Sequence, residues 1–141
     1  MAATDKAELI ADILRRTRRA AVVGFSTDPA KAAQRVPLRM LRHGYEVVPV
    51  HPTVSEVVGL TAYPDLASVP GALDLVVVFR PPREADGVAA AAIAAAAGAV
   101  WLQLGITSEA ARARCAAAGM DYVEDACVAI ELDCLGLGPL S

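Results

Sequence analysis

Hydroxyl and cationic side chains of the kind that hold phosphate follow a single glycine in the stretch AAVVGFSTDPAKAAQRVPLRML, Ala20 to Leu41. Gly24 lets the backbone turn sharply off an apolar run. Phe25, Ser26 and Thr27 follow it, and Lys31 and Arg35 bring positive charge. The helix expected from Pro37 has no Ser, Thr, Asp or Asn just before it. Its first N–H groups therefore lack a side-chain cap and are open to an anion. The alternative is a helix start hydrated by water, with Lys31 and Arg35 simply exposed. A dinucleotide fingerprint carries three glycines, G-x-G-x-x-G. Only Gly24 stands here, which leaves open the phosphate-bearing ligand that such a loop would fit.

Two further stretches narrow the chemistry. A chain gripping the free ribose diol of NAD carries Asp or Glu near the end of its second strand. Here that strand ends in VPVHP, with His51 and Pro52 and no carboxylate. NAD is disfavoured, and NADP or coenzyme A remains. The alternative for His51 is a surface residue before a proline turn. The run VVVFRPP ends in Phe79 and Arg80. The planar guanidinium fork suits phosphate, and charge at the end of a buried strand must face water or a ligand. Phe79 could stack on an adenine or serve the core.

These residues need a scaffold that brings strand ends together, and the order of elements supplies one. Residues 1–19 read as a helix with Thr4 as N-cap and Leu9, Ile10, Ile13 and Leu14 at helical spacing. AAVVG (20–24) is a buried strand, PLRMLRHG (37–44) a helix and YEVVPV (45–50) a second strand. A long connection (51–72) holds a short edge strand near Leu60–Tyr63. LDLVVVF (73–79) is a strand, PPREADGVAAAAIAAAAG a helix with Pro in its first turn, and AVWLQLG (99–105) a strand. TSEAARARCAAAG (107–119) is a helix capped by Thr107 or Ser108, and MDYVED a last strand before a C-terminal tail over 126–141. Apolar strands alternating with helices give an α/β fold, a Rossmann-like parallel sheet of five or six strands covered on both faces. Right-handed crossovers favour the order 3-2-1-4-5-6, which places the loops above at the switch point where such sheets bind ligands.

Composition sets the remaining bounds. At 141 residues the chain is read as a single domain, 1–141. Aromatic residues are only 4% of it, so the core must be built from Ala, Val and Leu. A net charge of −3 gives no nucleic-acid footprint. The stretch from Gly87 to Ile106 is long enough for a bilayer, yet it holds nine alanines and three glycines. A helix followed by a buried strand accounts for it better, so no membrane partner is expected. Cys115, Cys127 and Cys134 are odd in number and lack C-x-x-C spacing, which argues against disulfides and zinc and for a cytoplasmic protein. Cys127 is the best nucleophile candidate, but in this sheet order His51 lies four strand spacings away, roughly 19 Å, too far for a dyad. Asp125 and Glu131 read as residues that cap or anchor a terminal turn. Neither a catalytic set nor a metal site is expected.

The pieces AVVGFSTDP, RVPLRMLRHGYEVVPVHP, VVVFRPP, VWLQLGI and DACVAIE run in order from Ala21 to Glu131. Together they resemble the small stand-alone CoA-binding proteins, whose fold is similar to the CoA-binding domain of the succinyl-CoA synthetase alpha subunit. The resemblance implies CoA or an acyl-CoA held at Gly24, Phe25, Ser26, Lys31, Val36, His51, Pro52, Phe79, Arg80 and Gly105, to which the loop's own chemistry adds Arg35. It implies a binding module that is non-catalytic alone, since the chain has no room for that enzyme's phosphohistidine-bearing domain. The different-class alternative is an NADP-binding redox protein or enzyme on the same sheet. Many members carry Asn where His51 stands, an aromatic where Arg35 stands and a basic residue where Ala126 stands. These departures bear on affinity and nucleotide preference. The Ala-rich helix faces leave a homodimer open. At Cys127 a mixed disulfide with CoA is the chemistry that its position near the sheet's carboxyl edge would allow.

Overall fold

The computed structural model describes residues 5–136. In chain order the elements are α1 (Lys6–Arg16), β1 (Arg19–Val23), α2 (Ala32–Arg42), β2 (Glu46–Val50), β3 (Glu56–Val57), β4 (Leu60–Thr61), β5 (Leu75–Val78), α3 (Pro82–Ala94), β6 (Ala99–Leu102), α4 (Glu109–Ala118), β7 (Asp121–Val123) and α5 (Val128–Leu135). The main sheet is parallel throughout, in the order β2-β1-β5-β6-β7.

Strand residues alternate between two cores because successive side chains point to opposite faces. Ala20, Val22, Leu75, Val77, Ala99 and Trp101 face a core closed by Ile10, Ile13 and Leu14 of α1, Met40 of α2 and Leu132 of α5. Ala21, Val76, Val78, Val100 and Leu102 face a second core closed by Ala85, Ala89 and Ala92 of α3 and Ala111 and Cys115 of α4. Alanines let α3 sit close to the sheet, and the forked Asp86–Arg114 ion pair, at 2.6 and 2.9 Å, ties it to α4. Among the described residues no helix is long and apolar enough to cross a membrane.

The expected α/β architecture stands, with differences at four places. The edge strand expected near Leu60–Tyr63 is reduced to a single parallel bridge, Tyr63 to Val50, beside the β3–β4 hairpin. Tyr63 N–H donates to the Pro49 carbonyl and His51 N–H to the Tyr63 carbonyl. Pro49 has no N–H with which to extend that ladder back to the Thr61 carbonyl. Asp5, whose carboxylate accepts from Glu8 N–H at 2.8 Å, caps α1 in place of Thr4, which lies outside the described residues. The strand that follows begins already at Arg19. The stretch read as a tail contains α5, started by a hydrogen bond from Val128 N–H to Gln103 Oε1 at 2.9 Å.

The fourth difference lies at the candidate loop. α2 begins at Ala32 rather than near Pro37, which sits inside it. An interior proline frees the carbonyl four residues back. That carbonyl belongs to Ala33, and it accepts Ser26 N–H from the loop at 3.1 Å. The proline that should have broken the helix thereby ties the loop to it.

Candidate functional site

The loops at the carboxyl ends of β1, β2 and β5 enclose a cavity of about 380 Å³ at the switch point of the sheet. Its lining includes Gly24, Phe25, Ser26, Lys31, His51, Pro52, Phe79 and Arg80, eight of the eleven residues singled out in the sequence, together with Thr27, Asp28 and Ala33.

Gly24 is held where a side chain cannot go. Its φ is +91°, and a Cβ there would lie 2.9 Å from the Phe79 carbonyl oxygen and 3.0 Å from Arg80 Cδ. The bare backbone thus leaves the floor of the cavity open. Ser26 is fixed from both sides, through its N–H to Ala33 and its carbonyl to Gln34 Nε2 at 3.0 Å. Its hydroxyl accepts from Asp28 N–H at 3.0 Å, and Asp28 accepts in turn from Ala30 N–H at 2.9 Å. Lys31 is the N-cap of α2 but gives the helix no side-chain cap. The first N–H groups of α2 are free of side-chain acceptors, as the sequence indicated, though one and a half turns earlier. Among the described residues Lys31 forms no ion pair.

His51 Nδ1 accepts the N–H groups of Thr53 and Val54 at 3.2 and 3.3 Å. In the neutral ring this leaves the proton on Nε2, which becomes the donor edge. Phe25 is wholly buried in the first core, so it lines the cavity with its backbone. Phe79 is half-buried and packs on the same core. Arg80 is not free. Its Nε and Nη2 donate to the two carboxylate oxygens of Glu84, each at 3.0 Å. The hydrogen bonds from Arg80 hold the Glu84 carboxyl below its ordinary range and push the guanidinium's own pKa up.

The remaining three residues lie elsewhere. Arg35 and Val36 line a second cavity of about 360 Å³ between α2 and α5, with Leu38, Arg39, Arg42, Cys127, Ala129 and Ile130. Val36 is buried, and Arg35 donates to the Ala30 carbonyl. Gly105 lies beyond β6 with φ +86°, its N–H donating to Asp125 Oδ1 at 2.7 Å.

Sequence reasoning missed Gln34, Glu84 and Gln103. Glu84 was legible in principle, since Arg80 and Glu84 stand at i and i+4 where a helix starts. Gln103 interrupts an apolar run, the one visible signal of its capping role. Gln34 gave no signal, because its use depends on where Ser26 arrives.

A parallel sheet covered on both faces, with an open crevice above β1 and β5, defines a Rossmann-like ligand-binding domain. Within that class the chain belongs to the CoA binding domain family, which matches residues 18–133. It is 36% identical over 125 residues to the uncharacterized protein YneT of Bacillus subtilis (strain 168), covering 89% of this chain and 92% of that one. The structure of a hypothetical protein from Pyrococcus horikoshii OT3 matches with a TM-score of 0.89 at 31% identity, over 96% of this chain and 99% of that one. A dinucleotide-forming acetyl-coenzyme A synthetase 1 from Ca. Korarchaeum cryptofilum matches with a TM-score of 0.68 at 25% identity. That likeness covers 79% of this chain but only 26% of the synthetase chain.

Proposed function

We propose that this chain is a cytoplasmic CoA-binding module, holding CoA or an acyl-CoA across the carboxyl ends of β1, β2 and β5. Family membership supports the ligand class, and one observation carries the placement. Gly24 exposes bare backbone beside an uncapped helix start and Lys31. N–H groups with no internal acceptor, together with a lysine, make a seat for a diphosphate. His51 offers a donor rather than a carboxylate, which tolerates the additional phosphate that distinguishes CoA from dephospho-CoA. Across the Arg80–Glu84 pair, a mostly apolar slot lined by Val23, Val50, Leu66 and Val88 suits a flat ring. Arg80 and Glu84 neutralise each other and backbone N–H groups engage His51 Nδ1, which supports a module that binds or presents its ligand.

Calorimetric titration with CoA, dephospho-CoA, NADP and NAD tests this. CoA should bind best, with dephospho-CoA weaker. Lys31→Ala should lose about ten- to a hundredfold in CoA affinity, in keeping with a charge-assisted hydrogen bond worth about 1.5–3 kcal/mol. A preference for NADP, or no saturable binding of any of the four, would overturn the proposal.

A further inference from the structure

Three large apolar side chains stand exposed among the described residues, Val58, Leu104 and Ile130. Two of them share one face. Leu104 follows β6 and Ile130 lies on α5, 61% and 53% exposed, and both line a cavity of about 420 Å³ with Ala7 and Ile10 of α1. Ile130 also lines the cavity of about 360 Å³ between α2 and α5, so it forms the ridge between the two. Val58, at the turn of the β3–β4 hairpin, lines neither. A lone exposed side chain is ordinary, but apolar groups on adjoining concavities form a patch that water does not favour.

Charge is divided across that ridge. On the α2 side stand Arg35, Arg39 and Arg42, along one face of the helix. Only Arg39 has a carboxylate partner, Asp133. Arg35 donates to a backbone carbonyl, and Arg42 forms no ion pair among the described residues. On the α1 side stand Asp125 and Glu131. Asp125 accepts the Gly105 N–H, and neither carboxylate has a cation partner among the described residues. Lys6, the one cation lining that cavity, is turned to the Glu124 carbonyl at 2.8 Å. Because Arg39 pairs with Asp133, Arg35, one turn earlier, stands level with the stretch from Asp125 to Glu131. Unpaired cations thus flank one side of an apolar ridge and unpaired carboxylates the other, and a surface carrying both halves of a charge match is complementary to itself.

We propose that this face pairs with a second copy of the chain about a two-fold axis running along α5. The axis sets Ile130 against the partner's Ile130. It also sets the arginine side of one protomer against the carboxylate side of its partner, twice over. A two-fold axis across α5 would instead oppose arginines to arginines, so charge selects the axis. Exposed ion pairs add little affinity. The apolar ridge supplies the association and the charges its register. The Ala-rich face of α3 is already packed on the sheet, with Ala85, Ala89 and Ala92 wholly buried. Neither cavity shares a lining residue with the crevice above Gly24, so pairing leaves that crevice open.

Sedimentation equilibrium of the full chain, from low micromolar to submillimolar concentration, tests this. The expected result is a monomer–dimer equilibrium approaching twice the chain mass. Ile130→Glu should raise the dissociation constant about a hundredfold, as the loss of an apolar anchor that symmetry repeats. Val58→Glu should leave it unchanged. Arg35→Glu and Glu131→Arg should each raise it about tenfold. An equimolar mixture of those two variants should associate as the unsubstituted chain does, because one of its two contacts keeps the native signs and the other reverses both. Urea unfolding of dilute, monomeric samples separates loss of association from loss of folding, and the variants should match the unsubstituted chain there. A monomer at every concentration would overturn the proposal. So would a dimer indifferent to Ile130→Glu or broken equally by Val58→Glu, or a mixture no tighter than its components.

Discussion

Replacing Gly24 and Gly105 by alanine, one at a time, separates backbone conformation from close approach. Both have φ near +90°, at +91° and +86°. For an L-residue the left-handed region costs roughly 1–2 kcal/mol, and this cost is common to Gly24→Ala and Gly105→Ala. Around Gly105 an added Cβ would meet nothing within 4 Å. At Gly24 it would stand 2.9 Å from the Phe79 oxygen and 3.2 Å from the Phe79 carbon. Arg80 Cδ could swing aside, but the Phe79 carbonyl is backbone, fixed by the Phe79 N–H bond to Val23. Overpacking against an immovable neighbour adds about 1–3 kcal/mol. Gly24→Ala should therefore lose about 2–5 kcal/mol and Gly105→Ala about 1–2, a large share of a stability of roughly 5–15 kcal/mol. Urea unfolding followed by Trp101 fluorescence measures both, since Trp101 is the one tryptophan and is wholly buried. Equal losses, or a Gly24→Ala loss below about 1 kcal/mol, would refute the placement of the Phe79 carbonyl against this turn. CoA affinity should fall with Gly24→Ala as the floor of the cavity rises.

Gln34→Leu keeps the buried volume and removes the Nε2 bond to the Ser26 carbonyl. It should cost about 1 kcal/mol and weaken CoA binding severalfold in calorimetry, because the loop loses one of its two tethers. Burial pushes the Glu124 carboxyl up, but hydrogen bonds from Tyr122, Ser108 N–H and Arg112 outweigh it, so its net shift is downward. A carboxyl depressed on folding stabilises the protein above its unfolded pKa. That contribution is lost as pH falls below about 4.5, the ordinary glutamate value. Glu124→Gln should flatten the acid limb of a stability-against-pH curve, and an unchanged limb would count against this network. Burial pushes Tyr45 up to about 12, with its hydroxyl donating to the Leu14 carbonyl at 2.6 Å. A phenol kept neutral on folding stabilises below pH 10, and this is lost as pH rises from about 10 to about 12. Tyr45→Phe should therefore be less stable at neutral pH and lose less between pH 10 and 12.

The sheet was legible because its signal is local. Val, Ala and Leu runs such as LDLVVVF read as buried parallel strands at any point in a chain, and β-branched residues bounded by glycine and proline set their limits. Six of the cavity residues were legible for the same reason, since Gly24, Phe25, His51, Pro52, Phe79 and Arg80 each lie one or two positions past a strand end. Errors gathered wherever a local rule met a tertiary partner. Proline argued for a helix start at Pro37, but the carbonyl it frees on Ala33 finds Ser26. The segment after Asp125 read as a tail, yet Gln103, one residue past β6, supplies the helix start that Cys127 does not. Arg80 read as a cation awaiting a ligand, whereas Glu84, one turn along, already holds it. Arg35 and Val36 could not be separated from the phosphate loop by sequence, because they share a helix face with Ala32 only once α2 is known to begin there.

Gly24 can serve alone because the other two glycines of a dinucleotide fingerprint answer needs that this loop meets differently. In the fingerprint, one glycine allows the tight turn, one lets backbone approach the pyrophosphate, and one permits close packing of helix on strand. Here the turn and the close approach coincide at Gly24, whose missing side chain is required by the Phe79 carbonyl. Between Gly24 and Ala32 the chain makes a wider excursion, so the helix does not begin directly at the turn and no second glycine is forced. Helix contact is instead made through small side chains and a polar tie: Ala32 and Ala33 open α2, and Gln34 and the Ala33 carbonyl secure Ser26. Pro37 is the device that makes the Ala33 carbonyl available. The loop is thereby held by hydrogen bonds to its helix rather than by tight glycine packing, at the cost of committing Ser26's backbone N–H. In the proposed CoA complex the turn would hold its anion through the first N–H groups of α2, through Lys31 and, with Glu84 displaced, through Arg80.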